Sequence, residues 1–478
     1  MEGRDNDVHR NLTRLEQDFD PAHVPVKEAC KCRQKLSINS EALMARPSFS
    51  ETVRVFARIG CLSFGGPAGQ IALMHKELVE DREWISEDQY LRALNFCNLL
   101  PGPEAQQLAT YIGWHLHGLR GGLAAGLLFI IPGALVILCL SVLYAFAADL
   151  AWFDALFIGV KAAVLAIIAQ ALVRIGKRAL NTNFKLGLAV SSFLALFLFS
   201  LPFPLVVLGS GVIGIVVAHI APQLLKLGPI AAPLRITSEP LGWATGKTIL
   251  SWGIIWALPL ALVFITLGPN HVLFQIGAFF SKLAVVTFGG AYAVLAYMAQ
   301  EAVQNYQWLN ASEMVDGLGL AETTPGPLIM VTQFVGFLAA FRMPAPFTPL
   351  LAGFLGALIT TWVTFAPCFL WIFALAPWIE RLEHARKLQG GLAALTAAVV
   401  GVIANLGVWF ALHVLFVDIN EKQFGPLRVS VPDLESINVV ALMLAALAFV
   451  LLFRAKFGVL SVLGICGAMA VGFELAFK

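Results

Sequence analysis

The feature that most narrows what this chain can fold into is a pair of interruptions that occurs twice. Residues 50–80 and 88–117 are long apolar stretches, yet the first is cut by Gly65-Gly66-Pro67 and the second by Pro101-Gly102-Pro103. The same pair returns downstream as Thr287-Phe288-Gly289-Gly290 and Pro325-Gly326-Pro327. A helix interior disfavours proline by about 3 kcal/mol. Backbone groups freed inside hydrocarbon cost several kcal/mol each unless something satisfies them. One such break is an ordinary packing kink. The same two breaks in matched positions of both halves point to chain that lines a site.

The surroundings of the breaks are membranous. Hydrophobic residues make up 58% of the 478 positions and charged residues 13%, with a mean hydropathy of +0.79. Runs such as 121–147 exceed the roughly 20 apolar residues that a bilayer crossing needs. They do not alternate polar with apolar, so helices are expected and a lipid-facing barrel is not. The expected class is an all-α polytopic membrane protein. A net charge of +2 argues against a nucleic-acid partner. The seven cysteines are scattered, and Cys30 and Cys32 have no second pair to complete a structural zinc site. No metal or cofactor is expected. Residues 1–48 are polar, lack the apolar core of a signal peptide, and read as a cytosolic N-terminal extension. Gly-x-Ser-x-Gly and His-Glu-x-x-His are absent, which weighs against an intramembrane enzyme.

The chain is duplicated. Displaced by 224 positions, 63–103 falls on 287–327 with twelve of 41 residues identical, rare Trp84/Trp308 and Glu77/Glu301 among them. Further on the offset becomes 235, so Pro132 meets Pro367, Gln170 meets Asn405 and Lys161 meets Thr396. The expected units are a first transmembrane repeat at 49–220, a linker with one extra helix at 221–270 and a second repeat at 271–478. Basic residues prefer the cytoplasmic side of a membrane. The loop 174–185 holds Arg174, Lys177, Arg178 and Lys185, whereas its mate 409–437 holds Lys422 and Arg428 among four acids. Conversely 147–151 has no Lys or Arg, while 380–387 has Arg381, Arg386 and Lys387. The bias swaps between halves, as two inverted-topology repeats with discontinuous or re-entrant helices require.

Half-helices that begin at Pro67, Pro103 or Pro327 would aim unpaired N–H groups and the positive end of a dipole into the break. Gly65, Gly66, Gly102, Gly289, Gly290 and Gly326 allow a ligand to approach the backbone around Phe64, Pro101 and Pro325. Ser63, Thr287, Thr323 and Thr324 add hydroxyls. Arg58 and its mate Lys282, and Lys161 within an apolar segment, supply positive charge, which is costly at membrane depth and is by default functional. The inventory suits an oxyanion. Glu104 and Glu322 flank the Pro-Gly-Pro motifs and are candidates for proton coupling, with helix capping or a pair with Lys161 as alternatives.

At F-x-x-I-G-x-x-S-F-G-G-P (56–67), N-x-L-P-G-P (98–103), G-x-K-A-A (159–163), T-F-G-G-A-Y (287–292) and E-T-T-P-G-P (322–327), the chain resembles the chromate ion transporter family in its long, two-repeat form. The resemblance runs over about 50–476. It implies a multi-pass carrier of the cell inner membrane, N-terminus cytoplasmic, that exports chromate using the proton-motive force and confers chromate resistance. Sulfate, which chromate mimics in charge and tetrahedral shape, is the alternative substrate. A passive anion channel is the alternative mechanism. The oligomeric state is open, a homodimer included.

Overall fold

A computed structural model describes residues 47–147, 150–227, 241–286, 288, 291–379, 385–425 and 427–477. The N-terminal extension and the linker 228–240 therefore lie outside the described residues, as do Thr287, Gly289, Gly290 and Arg381.

The described chain is almost wholly helical. The first half contains α1 (Phe49–Leu62), α2 (Gly66–His75), α3 (Glu87–Cys97), α4 (Glu104–Ala147), α5 (Ala151–Ala179), α6 (Asn183–Phe197) and α7 (Phe203–Ile220). Helix α8 (Leu241–Leu267) stands between the halves. The second half contains α9 (Val272–Val286), α10 (Ala291–Gln300), α11 (Ala311–Thr323), α12 (Val331–Arg342), α13 (Pro349–Leu375), α14 (Arg386–Leu415), α15 (Val439–Phe449) and α16 (Val459–Phe477). Among them, seven are long and apolar enough to cross a membrane. Helix α8 packs on α13 and α9, yet its most apolar stretch is not buried by protein, as suits a lipid-facing helix.

The duplication is written into the backbone as well as the sequence. Ser86 caps α3 in a reciprocal box with Gln89, and Asn310 caps α11 with Glu313 at the matching positions. Such boxes satisfy donors that a helix start leaves unpaired. A π-helical turn follows α2 at Lys76–Glu80 and follows α10 at Glu301–Asn305. Glu83 and Gln307, again mates, both adopt a left-handed conformation at φ 51° and 53°.

The breaks occur where the sequence marks them. Helix α1 stops at Leu62 and α2 restarts at Gly66. Helix α3 stops at Cys97 and α4 restarts at Glu104. Helix α11 stops at Thr323, and a short 3₁₀ turn at Leu328–Met330 leads into α12. Helix α4 also kinks at His117 and Gly118, which divides the expected segments 88–117 and 121–147. One element was not expected. Residues 409–437 read as a loop in the sequence, but Ile419–Phe424 (β1) and Leu427–Pro432 (β2) pair antiparallel, with Val429 and Val431 supplying alternating β-branched positions.

The two halves interlock. Helix α14 packs on α6 and α7 of the first half, and its mate α5 packs on α15 and α16 of the second. Small residues let these backbones approach closely, the usual solution where lipid offers no hydrophobic drive. A Cβ on Gly214 would fall 2.4 Å from the Gly390 carbonyl oxygen, and one on Gly159 would fall 2.3 Å from that of Cys466.

Candidate functional site

The bend after α1 and the bend after α11, from opposite halves, are bonded to each other. The Gly326 amide donates to the Ser63 carbonyl at 2.9 Å. The buried Gln70 side chain donates to the Gly326 carbonyl at 2.5 Å. These bonds satisfy backbone groups that the broken helices leave exposed. Gly65 and Gly326 sit at φ 84° and 89°, a region that side-chain-bearing residues rarely adopt. Helix α4 closes over the second bend: a Cβ on Gly133 would fall 2.4 Å from the Pro325 carbonyl oxygen. The equivalent contact in the other half places Gly102 against Cys368, the repeat mate of Gly133. Gln107 donates to the Pro101 carbonyl at 2.7 Å and holds that bend shut.

Beside these bends lies a cavity of about 750 Å³. Gly65, Gly66, Gly102, Glu104 and Glu322 line it, so the structure brings the first-half breaks and both candidate carboxylates to one space. The first residues of α2 and α4 face it, with Pro67 in the first turn of α2. Arg174 and Arg178 of α5 add two cations, and Gln170 and Thr396 add polar groups. His75 also lines it, at the end of α2 and outside the long spans. Its ring bonds Glu87 at 2.5 Å and Glu80 at 3.0 Å. The Glu87 hydrogen bond is the main reason its pKa lies above the ordinary histidine value, with burial opposing.

The other expected residues are elsewhere. The Arg58 side chain is 60% exposed and reaches Glu77 at 3.7 Å, which also pairs with Arg82. Lys282 is exposed and stands over the Tyr297 ring at 5.6 Å. Lys161 is buried and lies 3.1 Å from Asp316. None of these three cations lines the cavity, and each is held by a neighbouring acid or ring. Ser63 donates its hydroxyl to the Ile59 carbonyl, Thr323 to Leu320 and Thr324 to Ala321. Hydroxyls back-bonded to their own helix offer an anion no donor in this conformation, contrary to the expectation. Phe64, Pro101, Pro103, Pro325 and Pro327 shape the bends without lining the cavity.

Sequence reasoning missed the cavity's own cations. Arg174 and Arg178 were legible only as loop charges, since they lie at the basic end of a long apolar helix. The signal that could have found them is Gln170, one turn earlier on the same helix, a polar residue whose mate Asn405 keeps a polar group. Gln70 had no such mark, its mate being Val294.

Comparison with known proteins fits this architecture. The chromate transporter family matches residues 50–215 and 274–473, one stretch in each half. The chain is 30% identical to the chromate transport protein of Cupriavidus metallidurans, over 74% of this chain and 80% of that one. It is 30% identical to the chromate transport protein of Pseudomonas aeruginosa, over 79% and 84% respectively. A probable chromate transport protein of Synechococcus elongatus is 29% identical over 77% of this chain and 86% of its own. No solved structure shows a significant match. A multi-pass membrane protein built as two repeats with broken helices, matched in both halves and across most of its length, belongs to the chromate transporter family.

Proposed function

We propose that the protein exports chromate across the cell inner membrane, taking it from the cytoplasm into the cavity between the broken helices. The observation that carries this reading is the meeting of two half-helix starts, at Gly66 and Glu104, with Arg174 and Arg178 in one cavity. Amide donors and guanidinium groups suit a tetrahedral dianion. The cavity opens beside the basic end of α5, which the preference of Lys and Arg for the cytoplasmic side assigns to the cytoplasm. An inside-negative potential then favours exit by about 2.3 kcal/mol per charge per 100 mV.

Glu104 and Glu322 share the cavity with the expected anion. Two carboxylates and a dianion repel one another at low dielectric unless protons intervene. Proton uptake by one or both carboxylates as chromate binds, and release on return, would couple export to the proton-motive force. The two repeats, in opposite orientations, would alternate in exposing the site.

The test is chromate flux in vesicles containing the purified protein, with pH and voltage imposed separately. Flux that follows the pH gradient and is lost in Glu104→Gln or Glu322→Gln supports coupled export. Flux that follows voltage alone identifies a passive channel. Sulfate competing at lower concentration than chromate would make sulfate the working substrate.

A further inference from the structure

A second polar cluster lies deeper in the protein, and the cavity does not include it. Lys161 of α5 donates to the Ser312 hydroxyl at 2.6 Å and lies 3.1 Å from Asp316 Oδ1. Tyr144 of α4 donates to Asp316 Oδ2 at 2.8 Å. Lys161 and Asp316 are both at least nine-tenths buried. Asp316 Oδ1 has no hydrogen bond among the described residues, so the lysine holds it by charge at an unaligned contact.

Position gives this cluster a meaning. Helix α11 is buried from Met314 to Glu322. At its end, Glu322 lines the large cavity. At its start, Asn310 and Glu313 line a shallow recess of about 590 Å³ with Arg342. Asp316 lies between the two, six residues and about 9 Å from Glu322. On α5, Lys161 lies six residues from Ile167, another cavity residue, in the same direction. The cluster thus lies between a cavity at one end of this helix and a surface recess at the other.

The repeat supplies an independent argument. Thr396, the mate of Lys161, lines the present cavity. If the halves exchange roles during transport, the wall position that Thr396 occupies now passes to Lys161 in the state open at the other end. The geometry points to Lys161 as the partner of the travelling oxyanion in that second state, with the Asp316 carboxylate as its placeholder while the far end is shut. Tyr144 and Ser312 hold the placeholder arrangement. Passage then exchanges one negative partner of Lys161 for another, without leaving the ammonium unpaired in the membrane. This deepens the transport reading and rests on it.

The test separates a placeholder from a merely structural ion pair. Apolar replacement of both members of a buried pair is often neutral or stabilising, so Lys161→Met/Asp316→Leu should fold. The full-length protein and this double variant are compared for elution profile and melting, chromate binding by equilibrium dialysis, and chromate exchange in vesicles. The expected result is a folded variant that binds chromate within about threefold of the parent, because the cavity is intact, yet exchanges it at least twentyfold more slowly. A folded double variant that exchanges chromate at the parent rate overturns the inference. Should the double variant not fold, Tyr144→Phe carries the test. Loosening the placeholder should change the exchange rate at least threefold with binding unaltered, and an unchanged rate overturns the inference. Failure of the parent protein to bind chromate would instead sink the cavity reading, a result distinguishable from bound chromate with undiminished exchange in the variant.

Discussion

Helix α11 carries the same chemical group near its middle and at its end, in opposite circumstances. Glu322 borders a cavity of about 750 Å³, whereas Asp316, six residues earlier, does not line it and is packed against Lys161 and Tyr144. The difference comes from what crosses each position. Near Glu322 the helices are broken, and their bends leave space. Near Asp316, α5 and the continuous C-terminal part of α4 run alongside and fill it. Whether a carboxylate on a buried helix meets open space or a counter-ion thus follows the continuity of its neighbours.

This contrast can be broken from its sealed end first. Asp316→Ala leaves the Lys161 ammonium buried without its counter-ion, a change that costs about 3–5 kcal/mol. A large drop in melting temperature is expected, and a melt matching the parent would show that the sealed end bears no load. Next in size is Gly133→Ala, at the contact that closes the bend beside the cavity. Its Cβ would meet the Pro325 carbonyl at 2.4 Å, so backbone has to move, at about 1–3 kcal/mol. Transport should fall with stability. Full activity would mean that the bend yields more easily than its bonding to Ser63 suggests.

At the open end the effects should appear in substrate handling and leave folding alone. Arg174→Gln/Arg178→Gln should raise the half-saturating chromate concentration about tenfold, or about 1.4 kcal/mol, and weaken its dependence on salt. Unaltered saturation would remove both cations from the site. Arg58→Ala should change stability by no more than about 1 kcal/mol, because the Arg58 side chain is largely exposed and the buried Glu77 keeps its pair with Arg82. Its transport should match the parent; a large loss would return Arg58 to the site. The smallest effect concerns His75. A raised pKa in the folded protein means that its stabilising contribution is fully present below its ordinary value of 6.5 and fades as pH rises through the raised value. The difference in melting temperature between the parent and His75→Ala should therefore be larger at pH 6 than at pH 8.5, and a difference independent of pH would mean that the glutamates do not hold the protonated ring.

How much of this was legible beforehand follows residue type. The breaks at Gly65-Gly66-Pro67 and Pro101-Gly102-Pro103 could be read directly, because proline and glycine act on the backbone through local sterics. The cations could not be assigned by type. Arg58, Lys161 and Lys282 were conspicuous because they interrupt apolar runs, but each found a partner from another part of the chain. Arg174 and Arg178 were inconspicuous at a helix end, and the fold turned that end toward the cavity. Long flexible side chains are placed by what surrounds them, which local sequence does not encode.

The amino-acid sequence alone determined that this is a duplicated, helical membrane protein with matched breaks, since hydropathy, Gly/Pro sterics and internal repetition are properties of short segments. Tertiary structure alone decided that the Ser63 and Gly326 bends bond to each other across the halves, that Arg174 and Arg178 supply the cavity's guanidinium charge, and that Lys161 faces Asp316. Those are contacts between residues far apart in the chain, and only the packing of one half against the other selects them.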